Sequence, residues 1–130
     1  MTIFSKIILG EIPCYKIAEN DEFFAFLDIR PLTKGHTLVI PKQETDYLFD
    51  LDNNTLVALM LFAKRVGRAI EKSIACKRIG LTVIGLEVPH AHIHLIPIQK
   101  ESDMNFKNQS LVLTSEEMEN IATLIQSNFE

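Results

Sequence analysis

The chain has 130 residues, 47% of them apolar and 23% charged, with five Gly, five Pro and a formal net charge of −4. The length sits near the commonest domain size, so one domain over residues 1–130 is expected, and the apolar fraction excludes a disordered or collagen-like chain. Mild acidity argues against the basic face that grips nucleic acid, and no apolar run approaches the ~18 residues of a membrane span. Met1 to Lys6 lacks a basic segment ahead of an apolar one, so no secretory signal is expected. Cys14 and Cys76 lie far apart, which predicts a reduced, cytoplasmic protein whose thiols act as small buried hydrophobes.

In chain order, Ile3 to Ile8 reads as a short helix closed by Gly10 and Pro13. Tyr15 to Glu19 is a strand and Asn20-Asp21 a turn. Glu22 to Asp28 is a strand nearly continuous in apolar side chains, which predicts burial on both faces, or one face on a core and the other under a ligand. After the loop Arg30 to Gly35, His36 to Ile40 is a strand ended by Pro41. Asp52-Asn53-Asn54-Thr55 supplies N-cap chemistry for a long helix, in which Leu56, Met60, Ala63, Val66, Gly67, Ile70 and Ile74 recur at helical spacing. Gly67 costs that helix about 1 kcal/mol against Ala, and predicts a close backbone approach. Ile79 to Ile84 and Ala91 to Ile98 are strands joined by Gly85 to Pro89, and Thr114-Ser115-Glu116-Glu117 is a capping box opening a last helix to about Phe129. Short connections favour antiparallel pairing. The predicted fold is α+β: a mainly antiparallel five-stranded sheet, wound as a meander, with a long central helix and a C-terminal helix packed on one face.

Three of the four histidines fall within five positions: His90, His92 and His94. On a strand, residues i, i+2 and i+4 share a face, so the three rings should project together while Ala91, Ile93 and Leu95 face the core. Such a row can ligate a metal, or simply form a polar edge. It can also transfer a phosphoryl group, because imidazole is a good nucleophile near neutral pH. One ring then attacks, a second handles a proton and a third fixes the tautomer of the attacker.

His90-Ala91-His92-Ile93-His94-Leu95-Ile96 resembles the His-φ-His-φ-His-φ-φ signature of the histidine triad (HIT) superfamily of nucleotide hydrolases and transferases, φ being hydrophobic. The resemblance extends over nearly the whole chain. Thr2 to Ile7 with Glu11-Ile12-Pro13 is similar to the opening of its Hint-like branch; Phe26 to Pro31 and Gly35 to Lys42 are similar to its ribose-binding and following strands. The resemblance implies that His92 attacks the α-phosphorus of a nucleoside 5′-phosphoryl compound, giving a covalent nucleotidyl-histidine that water resolves. It implies that His94 contacts phosphate and leaving group. The His90 carbonyl would accept from His92, leaving the opposite ring nitrogen free, and His36 would buttress the site. Asp28 would accept from the 2′- and 3′-hydroxyls of a ribose. Ile3, Phe4, Ile7, Phe26 and Ile29 would form the apolar pocket for a purine. The substrate implied is a purine nucleoside monophosphate or an AMP-X compound such as a phosphoramidate. No metal and no cofactor is implied for the reaction.

Departures from the pattern carry information. Gly85 stands where the branch has an Asn, the connection to the triad is short, and it bears an acidic Glu87. That keeps a non-catalytic nucleotide-binding module or partner scaffold open as an alternative, and a metal-dependent enzyme as a third. Ser5 replaces the zinc-binding Cys of some relatives, so no structural zinc is expected. The resemblance also implies a homodimer formed through the long helix and adjoining strand, and apolar residues on nearly every face of Leu56 to Ala63 agree with burial on a second side.

Overall fold

The computed structural model describes residues 1–130. Its elements are α1 (Ile3–Ile8), β1 (Lys16–Glu19), β2 (Phe23–Leu27), β3 (Thr37–Pro41), α2 (Asn53–Ser73), β4 (Arg78–Thr82), β5 (Ile93–Ile98) and α3 (Ser115–Asn128), with short 3-10 turns at Leu48–Asp50 and Glu101–Met104. The five strands form one antiparallel sheet in the order β1-β2-β3-β5-β4. The α+β class and the five-stranded antiparallel sheet are as the sequence predicts. The meander is not: after α2 the chain lays β4 at the edge and returns β5 to the middle, beside β3.

Alternation along β2 and β3 splits the apolar residues between two clusters. Phe23, Ala25, Leu27 and Val39, with Ile93 and Leu95 of β5, meet Leu59, Phe62, Val66 and Ile70 of α2 and Met118, Ala122 and Ile125 of α3. On the opposite face, Phe24, Phe26, Leu38 and Ile40 pack against Phe4 and Ile7 of α1. The long central helix and the C-terminal helix therefore share one face, as the sequence suggested, whereas α1 covers the second side of a sheet whose central strands are apolar on both. Burying a side chain of this size is worth about 1.5–3 kcal/mol, so each cluster justifies its own helix contact.

The helix starts follow the cap chemistry. Thr2 accepts from Ser5 N–H, Asp52 from Thr55 N–H, and Thr114 forms a reciprocal capping box with Glu117. Gly67 faces open space, since a Cβ there would meet nothing within 4 Å. The close approach expected of it is absent. Gly35, at φ +90°, is the position where glycine is needed: a Cβ would sit 3.0 Å from Ile74 Cγ1 and 3.3 Å from Pro97 Cγ.

Candidate active site

Strand β5 begins at Ile93, so His90 and His92 lie in the irregular approach to the strand and only His94 is in the ladder. Strict strand alternation therefore does not bring the rings together. The β3–β5 register stops at Val39↔Ile93, and upstream of it side-chain and main-chain contacts take over. His94 pairs across the sheet with Leu38, a member of the Phe4 cluster, which fixes it on the α1 face. The His92 ring lies 5.0 Å from that of His94 and 5.1 Å from Phe4, and the His90 ring 5.8 Å from Phe4. All three imidazoles thus gather on one side, by a different route. They are almost wholly buried rather than set on an open face.

Main-chain groups dictate the state of each ring. His92 Nδ1 is 2.8 Å from the His90 carbonyl oxygen. A carbonyl accepts only, so Nδ1 carries a hydrogen, and in the neutral ring this fixes the tautomer whose lone pair is on Nε2. His90 Nε2 is 2.7 Å from the Pro41 carbonyl oxygen and carries the hydrogen on that side. His36 Nδ1 accepts from the Leu32 backbone N–H at 3.0 Å, so its hydrogen is on Nε2, which faces His94 Nδ1 at 3.0 Å. His94 therefore accepts on Nδ1 and presents Nε2–H outward. Burial pushes the His36 imidazole down to about 3 and the His94 imidazole to about 4, with repulsion between neighbouring ring charges adding to it. Burial also lowers His90, opposed by its bond to Pro41.

Asp28 follows the end of β2, at the mouth of this relay. Its Oδ1 accepts from Arg30 N–H at 2.8 Å and its Oδ2 lies 3.6 Å from His36 Nε2. Burial pushes the carboxyl up, against the Arg30 N–H that favours the charged form. Asp28, His36 and His94 bring one ligand-type atom each within 4.8 Å of one another. Two of these atoms already share a hydrogen, which a cation would have to displace. The trio reads better as a proton-ordered relay than as a metal centre.

The apolar residues divide. Phe4, Phe26 and Ile7 pack together beside the triad, whereas Ile3 is half exposed and Ile29 is exposed beyond Asp28. Lys42 pairs with Glu19 at 2.7 Å, on the side of the sheet edge, and is not available to the site. Three neighbours escape sequence reasoning. Phe106, from the segment after β5, packs its ring 4.8 Å from His94 and 6.2 Å from His36. It lies in a stretch without regular structure, so no periodicity marks it. Thr2 and Glu44 reach the far end of His90, Thr2 Oγ1 lying 2.8 Å from His90 Nδ1 and Glu44 holding Thr2. The cap signal at Thr2 is legible, its second partner is not.

The family model described as HIT domain matches residues 9–101. A HIT-like protein of Borreliella burgdorferi is 36% identical over 134 aligned residues, spanning 97% of this chain and 96% of its own. The adenosine 5′-monophosphoramidase of Schizosaccharomyces pombe is 39% identical over 101, covering 76% of this chain and 75% of that enzyme. Among solved structures, a Hit-like protein of Bartonella henselae superposes with a TM-score of 0.84 at 30% identity, over 98% of this chain and 96% of the other.

Proposed function

Because this chain belongs to the HIT family, we propose that it is a nucleotidyl hydrolase, acting on adenosine 5′-phosphoramidates or related AMP-X compounds through a covalent nucleotidyl-histidine. The observation that carries the reading is the hydrogen bond from His92 Nδ1 to the His90 carbonyl, which selects the neutral tautomer with its lone pair on Nε2. The curated relative above acts as an adenosine 5′-monophosphoramidase, which favours an AMP-linked substrate.

In this reading His92 Nε2 attacks the α-phosphorus. The P–N bond to the leaving amine breaks, the amine departing with the bonding pair and a proton drawn from water. The positive charge left on the phosphorylated ring is eased by Nδ1–H pointing at the His90 carbonyl. Water then attacks the same phosphorus, giving its proton to the hydroxide left by the first step; the bond to His92 breaks with its electron pair returning to Nε2, and AMP leaves. His94 is neutral and already accepts on Nδ1, so its part is to steady phosphoryl oxygens and leaving group with Nε2–H. His36 fixes that ring's tautomer. Asp28 receives the ribose hydroxyls, and Phe4, Phe26, Ile7, Ile3 and Ile29 flank the purine.

Two copies would pair through α2 and β4. Val57, Met60, Leu61 and Leu81 are exposed, and Met60, Leu61 and Leu81 line a groove of about 620 Å³ that runs between the helix and the free edge of β4. No helix is long and apolar enough to cross a membrane; the two free cysteines support a reducing, cytoplasmic location.

The test is release of AMP from adenosine 5′-phosphoramidate. Wild-type protein should turn it over and His92→Ala should lose at least ~1,000-fold in kcat, as expected when a nucleophile is removed. Denatured under acid-free conditions during turnover, the wild type should carry one adenylyl group on His92 by mass spectrometry. AMP binding without turnover would favour the non-catalytic module instead.

A further inference from the structure

His90 is gripped at both ends of its ring, and only one grip belongs to the sheet. Nε2 donates to the Pro41 carbonyl at the end of β3. Burial disfavours the imidazolium, so Nδ1 is bare and can only accept. The atom facing it is the Thr2 hydroxyl, 2.8 Å away, which therefore donates. Glu44 holds the main chain that carries this hydroxyl. Its carboxylate accepts from the Thr2 backbone N–H and, at 3.0 Å, from the Ser5 hydroxyl. Ser5 N–H donates to Thr2 Oγ1 at 3.0 Å. Thr2 Oγ1 also lies 3.2 Å from Ser5 Oγ, which could accept the same hydrogen, but the 2.8 Å contact to the ring nitrogen is the shorter, so Thr2 accepts one backbone hydrogen and gives its own to His90. The next residue is held from the same segment, Ala91 N–H donating to the Thr45 carbonyl at 2.7 Å.

We propose that Thr2, aligned by Glu44, is a positioning residue for His92: it locks His90 in the irregular approach to β5 and so aims the His90 carbonyl at His92 Nδ1. The inference rests on His92 being the attacking ring. No ladder bond does this work, because β3–β5 pairing stops at Ile93. The contact also joins the N-terminus of the helix that carries Phe4 to the segment that carries the nucleophile. Thr2 itself touches neither substrate nor reacting atoms. A displacement of the attacking atom by a fraction of an ångström to 1 Å is enough to cost about 10- to 100-fold in rate.

Three replacements separate the roles of Thr2. Thr2→Val keeps the shape and loses both the cap and the donor; Thr2→Asp keeps the cap of α1 but has no hydrogen to give a neutral ring; Thr2→Ser keeps both. With adenosine 5′-phosphoramidate, kcat should fall about tenfold in Val and Asp with KM within about twofold, and Ser should stay within about twofold of wild type. Nitrogen-15 spectra of the ligand-free proteins give a readout independent of turnover. The His90 and His92 ring resonances should both move in Val and Asp and return in Ser. Unmoved His92 resonances overturn the proposal, as does a raised KM at unchanged kcat, which would mark plain docking of α1. A wild type without turnover counts against the hydrolase reading and leaves the clamp to be decided by the ring resonances.

Discussion

At the scale of single residues, the site is a cluster of buried imidazoles, of which burial pushes His36, His90 and His94 toward the neutral form. His36 at about 3 and His94 at about 4 both lie below the ordinary histidine value. In the unfolded chain they take up a proton near ~6.5, so the unfolded state binds more protons at every pH between. Their contribution to stability is complete above about pH 6.5 and is lost as pH falls toward 4 and then 3. Urea unfolding should therefore show a drop on the order of 5 kcal/mol between pH 7 and pH 4.5, about half from each ring. His36→Asn should be less stable at pH 7 yet show a flatter slope over that interval. A stability that is level or rises on acidification would contradict the buried neutral relay. The identities of these rings are open to a reader of the sequence, because three histidines at alternate positions stand out. Their protonation states are not, since the partners are the main-chain groups of Leu32, Pro41 and His90.

At the scale of elements, local chemistry marks the helices well and the strand ends poorly. The caps at Thr2, Asp52 and Thr114 are written in side chains that can reach the first free N–H groups. Strand ends are set by partners. Pro41 reads as a terminator but serves as the last residue of β3, paired with Phe23, because β5 has already left the ladder on its other side. Ala91 to His92 reads as strand and is not, for the same reason. Gly35 illustrates the converse, a turn residue whose necessity is legible only with its neighbours in view. Gly35→Ala would force a left-handed backbone and press a methyl group on Ile74 and Pro97. It should cost about 1–3 kcal/mol in urea unfolding and loosen His36, which follows it. A loss under ~0.5 kcal/mol would mean the turn has an alternative path.

For the whole molecule, the sheet separates two jobs. One face, under α2 and α3, is a packed core; the other, under α1, carries a smaller apolar cluster and the histidines beside it. The sequence predicts five strands and three helices but not the order of the last two strands, since short-range pairing rules favour the meander and say nothing about which strand closes the edge. That edge is where a second copy is expected. Leu61 is exposed on α2 beside Leu81 of β4. Leu61→Glu should halve the mass measured by light scattering at micromolar concentration, while the unfolding free energy of the isolated subunit changes by less than about 0.5 kcal/mol. A wild type that is already a monomer would refute the pairing.

The polar partners of His36, His90 and His92 include main-chain carbonyls that every residue type carries and an amide that every type but proline carries. Amino-acid exchange at Leu32 or Pro41 can bend these contacts but cannot delete the carbonyls, and a change at Leu32 spares its amide unless proline enters. Over generations such a centre should drift freely in its surrounding letters and suffer chiefly from insertions or deletions, which alter the route of the thread itself.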